Sequence, residues 1–234
     1  MPDGAKILDL MDEIEQLPGY RFYYEDVKGL ELSTYIFYAN FNDMNRLITL
    51  VTTHPKFAHL FNPANKETLH TFGYDIVRRV HNFLASVASL VDHTQNIHKK
   101  LYKGTNLFPD YQDRVDRDFT NDIQVQFVQE LREYSTHYKP PIIYYRTTWG
   151  KERQIVRRVY LDREKLKKFG FKAPARKYLA TLTDDVDILQ EVTIYRAKVL
   201  AFYEWFGSRQ MEIHAAELKE FNDKQEELRR LYEE

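Results

Sequence analysis

The sequence predicts a mainly α fold, a helical bundle carrying one β-hairpin appendage and a long C-terminal helix, and three observations lead there. From Leu69 to Leu101 apolar side chains recur at steps of three and four without a break, the period of a helix buried along its length. On either side of Gly150 the pattern shifts to short runs of β-branched and aromatic residues, which favour strands. Beyond Thr183 the helical period returns and lasts to the end of the chain. One domain overall is expected. Residues 1–140 form the bundle, 141–180 insert a basic β-hairpin and loop, and 181–234 supply a C-terminal helix that completes the bundle and is available for dimerisation.

Ile7, Leu10, Met11, Ile14 and Leu17 share one face of a first helix that Pro18 and Gly19 end. Tyr20 to Val27 alternates weakly, in the manner of an extended segment, and its conformation stays open. A second helix is expected after Ser33, with Phe37, Phe41, Met44, Ile48 and Val51 in its apolar set and His54-Pro55 as its stop. The third runs from about Asn65 to Leu101. Beside its main stripe lie Val77, His81, Leu84, Ala88 and Val91, so it is expected to touch two neighbours. A fourth helix, about Phe119 to Tyr138, carries Ile123, Phe127, Val128, Leu131 and Tyr134 and stops before Pro140-Pro141.

Ile142 to Trp149 and Arg153 to Leu161 read as a hairpin, followed by a short basic helix or loop. Thr183, Asp184 and Asp185 are the expected N-cap and first turn of the final helix. Its first seam is Ile188, Val192, Tyr195, Val199, Phe202 and Phe206; after Gly207-Ser208 the seam resumes in another phase through Met211, His214, Leu218, Phe221 and Leu228. One continuous helix would reach about 75 Å at roughly 1.5 Å per residue, more than a domain of this size covers. It either folds back at the glycine or projects as a coiled-coil dimerisation arm.

Composition narrows the function. At 43% hydrophobic and 15% aromatic over 234 residues, the chain has the apolar surface for a large core. It contains no cysteine, which excludes disulfides, thiolate zinc sites and cysteine nucleophiles. The acidic start lacks the basic and apolar regions of a signal peptide, and charges interrupt every apolar run before the roughly 18 residues that a membrane span needs. A cytoplasmic location and no membrane partner are therefore expected. The sequence lacks the phosphate-loop, dinucleotide and hydrolase-elbow glycine motifs, so no cofactor is expected. Asp92, His93 and His98 lack the spacing of a zinc helix, and no H-E-x-x-H occurs, so no metal site is expected.

Two features remain that carry chemistry. The first is FVQELREYSTHYKPP, residues 127–141, where Arg132 and His137 sit near the foot of the fourth helix. Arginine offers a permanent cation with a fork of donors for phosphate, and histidine exchanges a proton near neutral pH. The spacing recurs at Arg209 and His214, so it is the setting, an apolar helix before and a basic hairpin after, that singles out the first pair. Residues five apart lie about 140° apart on an ideal helix, so the pair shares a site only if the helix end is distorted or the arginine reaches round. The plain structural counterpart is an arginine and a histidine stabilising a helix C-terminus.

The second feature is charge. Between Arg146 and Lys177 twelve basic residues face three acids, a segment charge of +9, while the whole chain is formally −1. Arg146, Lys151, Arg153, Arg157, Arg158, Lys167 and Lys168 are the candidate contacts to a phosphate backbone, and Tyr144, Tyr145, Trp149, Tyr160, Phe169 and Phe171 among them suit stacking on unpaired bases. The alternative is that these aromatics are core and the cations solvate an exposed hairpin.

The Arg132 and His137 pairing, on a helix of an all-α bundle, resembles the R-x4-6-H signature of the HEPN superfamily, which includes many bacterial ribonuclease toxins and phage-defence effectors. In that signature the residue after the arginine is usually Asn, Asp or His; here it is Glu133. The resemblance implies a metal-independent endoribonuclease working in a cleft between two protomers. Arg132 would hold the scissile phosphate, and His137 would act as general acid or base. Tyr134, Tyr138, Arg78, Asn82 and His93 are candidate auxiliaries. RNA and a second copy of the chain are the implied partners. The competing expectation is a non-catalytic helical interaction protein whose last helix dimerises or docks a protein partner.

Overall fold

The computed structural model describes residues 4–149 and 155–233 and is a helical assembly with one two-stranded antiparallel sheet. Helix α1 (Gly4–Gln16) buries Ile7, Leu10 and Ile14. Pro18, preset for a first helical turn, starts α2 (Pro18–Arg21), and the chain then stays helical through a widened turn, Phe22–Val27, into α3 (Lys28–Thr53). The segment that alternates weakly is thus not extended, and the second helix begins well before Ser33. In the widened turn the Lys28 N–H donates to the Tyr23 carbonyl five residues back. That extra residue keeps Phe22, Val27 and Leu30 facing the interior, so burial overrides the weak local pattern. His54, extended before Pro55, stops α3 as expected.

Helix α4 (Lys66–Tyr102) is the long helix of the sequence pattern, and it touches two neighbours, α3 on one side and α6 (Ile123–Glu133) on the other. Phe83 packs against Phe37 at 5.4 Å and Phe41 at 5.9 Å. Between α4 and α6 lie α5 (Tyr111–Val115) and a second widened turn, Asp116–Thr120. Helix α6 starts at Ile123 rather than Phe119 because the Asp122 carboxylate accepts from the Gln124 and Val125 N–H groups and caps the helix there. Its Val125, Phe127, Val128 and Leu131 are buried completely.

Strands β1 (Ile143–Trp149) and β2 (Ile155–Leu161) pair in register from Ile143 opposite Leu161 to Trp149 opposite Ile155. The alternation sends Tyr145, Val159 and Leu161 toward the core, and Leu161 exchanges both backbone hydrogen bonds with Val186, at 2.9 and 3.0 Å. The base of the hairpin is therefore anchored in the core. Helices α7 (Arg163–Lys167) and α8 (Ala173–Thr181) occupy the basic connection; α8 packs on α6 and buries Ala175 and Leu179, and Phe171, just before it, meets Phe127 at 6.0 Å.

Because Val186 is held extended by Leu161, the final helix cannot start at Thr183. Helix α9 (Ile188–Ile213) begins after Asp187, which accepts from the Gln190 N–H at 3.2 Å; Asp184 and Asp185 instead face Arg146. The chain breaks at His214, not at Gly207, which stays within α9. Helix α10 (Ala215–Glu233) then lies on α1 and α2, where Phe221 packs with Leu10 and Ile14. The crossing is close. A Cβ on Gly19 would stand 2.2 Å from the Glu217 carbonyl oxygen, so only glycine allows it. Among the described residues no helix is long and apolar enough to cross a membrane.

Candidate functional site

The end of α6 is a third widened turn, Tyr134–Tyr138, closed by the Lys139 N–H donating to the Tyr134 carbonyl at 3.0 Å. Bonding five residues apart brings residues five apart toward one face. Arg132 and His137 thus lean the same way despite their separation on an ideal helix. They meet on a carboxylate. The Arg132 Nη2 donates to Glu133 Oε1, and His137 Nε2 stands 3.6 Å from Glu133 Oε2. His137 is 73% exposed, whereas Arg132 is only 31% exposed. Within the turn, Thr136 Oγ1 donates to the Arg132 carbonyl at 2.9 Å. Glu133, which departs from the expected signature, is the residue that sequence reasoning missed as a member of the site. No sequence signal marks it, because its role depends on the widened turn.

Arg132 also faces a cavity of about 270 Å³ between α4, α6, α9 and the segment from α5 to Thr120. Its floor is apolar and aromatic, with Phe37, Leu90, Tyr195 and Phe202. Gln126 and Gln129 line its wall, joined at 3.3 Å, and Asp92, Gln95 and Thr120 stand exposed at its mouth. Burial pushes the Tyr195 phenol far up, with Gln129 bonded to it and opposing the shift. Burial likewise raises Tyr203, whose hydroxyl meets Thr94 and the Leu90 carbonyl. Both phenols stay protonated near neutral pH, so neither supplies a base. The sequence showed these residues only as a core seam.

The predicted RNA contacts divide. Lys151 and Arg153 lie outside the described residues. Arg157 turns to the inner face of the hairpin, 5.4 Å from the Phe61 ring centroid, and so leaves the outward set. Arg146 is outward but engaged: it pairs with Asp184 at 2.9 Å and with Asp185 and lies over the Tyr160 ring at 4.6 Å. The Asp184 hydrogen bond raises its already high pKa further. Lys167 pairs with Glu164 at 2.8 Å. Arg158, opposite Arg146 in the register, and Lys168 are exposed and form no ion pair among the described residues. The outer hairpin face also carries a stacked pair, Tyr144 and Tyr160, with centroids 5.6 Å apart, and Lys165 lies 4.5 Å from the Tyr144 ring.

The auxiliaries mostly go elsewhere. Tyr134 is buried, its phenol raised by burial, and packs on Phe169 at 5.0 Å; Tyr138 is exposed beside it. Arg78 pairs with Asp75 on its own helix at 3.2 Å, and His93 turns to Ser33 of α3 at 2.6 Å. Asn82 is exposed. Arg78, Asn82 and His93 of α4 therefore do not converge on Arg132. His81 reaches the widened turn, where its Nδ1 and the Ser135 hydroxyl lie 3.0 Å apart. Among the described residues no group of three His, Cys, Asp or Glu side chains is placed to hold a metal ion.

Comparison of the chain with protein-family models, with curated proteins and with solved structures gives no match.

Proposed function

We propose that this chain is a HEPN-like RNA-binding protein that cleaves RNA without a metal at the end of α6. The observation that carries the reading is the widened turn that turns Arg132 and His137 toward the two oxygens of Glu133. An incoming phosphate competes with Glu133 for Arg132, which then offsets the charge that develops on the phosphoryl oxygens. Glu133, released, takes the proton of the 2′-hydroxyl as that oxygen attacks phosphorus. Protonated His137 gives its proton to the departing 5′-oxygen, leaving a 2′,3′-cyclic phosphate and a 5′-hydroxyl. The exposed edge of His137 suits a second protomer closing the cleft. In this reading the outer hairpin face, with Arg158 and the Tyr144 and Tyr160 stack, is the surface that holds unpaired bases.

The test is incubation of the purified protein, in EDTA, with labelled tRNA and mixed RNA. Cleavage that Arg132→Ala and His137→Ala both abolish supports the reading; intact RNA with every preparation sinks it. Light scattering reports the expected homodimer. A second reading, a helical interaction protein without chemistry, is favoured by Leu32, Tyr35 and Ile36, exposed together on α3 at helical spacing. Salt-dependent RNA retention without cleavage would leave an RNA binder.

A further inference from the structure

We propose that the cavity beside Arg132 is a mononucleotide subsite, taking one unpaired base against its partly exposed aromatic lining, Phe119 and Tyr203, with the attached phosphate on the Arg132 guanidinium. This deepens the RNA reading of the same site and rests on it.

The argument begins with Arg132, which belongs to both features. One of its terminal nitrogens holds Glu133, while its Nε and Nη1 form no hydrogen bond among the described residues, and the side chain lines the cavity. A cation with unused donors beside an apolar hollow suits a ligand that is anionic at one end and flat and apolar at the other. Volume limits the size. At about 270 Å³ the cavity falls just under the range of about 300–1,000 Å³ of drug-sized sites, so it suits a single ring system and excludes a stacked dinucleotide.

Polarity excludes a plain hydrocarbon. Asp92, Gln95 and Thr120 at the mouth form no side-chain hydrogen bond or ion pair among the described residues, and an apolar ligand would desolvate them without return. A base carries ring and exocyclic donors and acceptors that satisfy a carboxylate, an amide and a hydroxyl together. Deeper in, the groups are already tied. Gln126 Nε2 donates to the Phe119 carbonyl at 3.1 Å and to Gln129 Oε1, and Gln129 is bonded to Tyr195, so the wall is held in place before any ligand arrives. Phe37, Tyr195 and Phe202 are almost wholly buried and form the backing of the hollow, while Phe119 and Tyr203, also in its lining, keep part of their surface exposed. The geometry thus separates two tasks: Arg132 meets the phosphate, and the partly exposed rings of Phe119 and Tyr203, with the polar groups of the mouth, take the base.

The proposal is tested by calorimetric titration of the full chain with AMP, GMP, CMP and UMP, with adenosine and guanosine, with inorganic phosphate, and with phenylalanine and tyrosine. One site per chain is expected for at least one nucleotide, at least about tenfold tighter than its nucleoside or phosphate alone. Arg132→Gln is expected to lower that nucleotide to the affinity of the nucleoside. Gln95→Trp and Thr120→Trp, both exposed at the mouth, are expected to weaken nucleotide and nucleoside alike, and thermal melts check that each variant folds. No nucleotide binding up to about 10 mM, binding that Arg132→Gln and both mouth variants leave unchanged, or binding of phenylalanine or tyrosine in place of every nucleotide overturns the subsite. Nucleotide binding without RNA cleavage sinks the nuclease reading and spares the subsite; cleavage without nucleotide binding does the reverse.

Discussion

The chain contains the same arginine and histidine spacing twice, and the two pairs have opposite fates. At the end of α6, Arg132 and His137 share a carboxylate, the histidine is open to solvent and the arginine keeps spare donors. At the junction of α9 and α10, His214 is buried and saturated. Its Nε2 lies 3.0 Å from the Tyr102 hydroxyl, its Nδ1 2.7 Å from Glu217, and its ring stacks on Phe22 at 3.9 Å. Arg209 there is spent on Glu212 at 2.6 Å and Asp110 at 3.4 Å. Spacing is thus no guide to role. What distinguishes the pairs is whether the surrounding elements leave a nitrogen free to meet a ligand.

The largest expected effect tests that distinction directly. His137→Ala is expected to lower RNA cleavage by about 10²–10⁴-fold with little change in thermal stability, whereas His214→Ala is expected to leave cleavage per folded molecule unchanged. Equal losses of cleavage in the two variants would break the contrast. The second pair should respond in stability instead. His214→Ala removes a bonded, stacked ring and leaves the buried Tyr102 hydroxyl only the longer bond from Gln210 at 3.4 Å, a cost of about 2–3 kcal/mol by denaturant unfolding. Gly19→Ala probes the same junction from the other side, since its Cβ meets the Glu217 backbone, and about 1–3 kcal/mol is expected.

A smaller effect concerns the helix that carries the first pair. Asp122 caps the start of α6 and meets Lys198, and Asp122→Ala is expected to cost about 1 kcal/mol at neutral pH. Burial alone would raise the Asp122 carboxyl, but the Lys198 hydrogen bond and the Val125 and Gln124 N–H groups outweigh it and hold the carboxyl below its ordinary value. A depressed folded-state pKa means stability present above the unfolded value near 3.8 and lost as pH falls through the folded value. The gap between wild type and Asp122→Ala, followed by urea unfolding from neutral pH downward, should therefore close below about pH 4. A gap that stays constant would assign the cap no ionic part.

The smallest effect belongs to the hairpin. Arg158 has no ion pair among the described residues, so Arg158→Ala should weaken RNA retention and lower the salt slope by about one unit, without altering cleavage once RNA is bound. Arg157→Ala, on the inner face over Phe61, should act on stability rather than on that slope.

Much of the architecture was legible because it is written in period. The stripe of α4, the stop at His54-Pro55, the pairing of β1 with β2 and the first seam of α9 each follow from local spacing and stiffness. The errors share a cause. The early start of α3, the cap at Asp187 and the break at His214 were set by partners distant in the chain: the core beneath Phe22 and Val27, the Leu161 pairing with Val186, and the contact of Gly19 with Glu217. The candidate site divides the same way. Arg132 and His137 were legible as residue types suited to phosphate and proton transfer, but the place of Glu133 between them was not.

By itself the sequence determined the class of fold, the paired arginine and histidine, and the basic character of the hairpin region, since periodicity and charge are properties of neighbours along the chain. Tertiary structure decided which cations stay free, which histidine stays open and where a cavity adjoins Arg132. Those depend on which distant groups are brought within hydrogen-bonding reach, and a distance between remote residues exists only once the chain has packed.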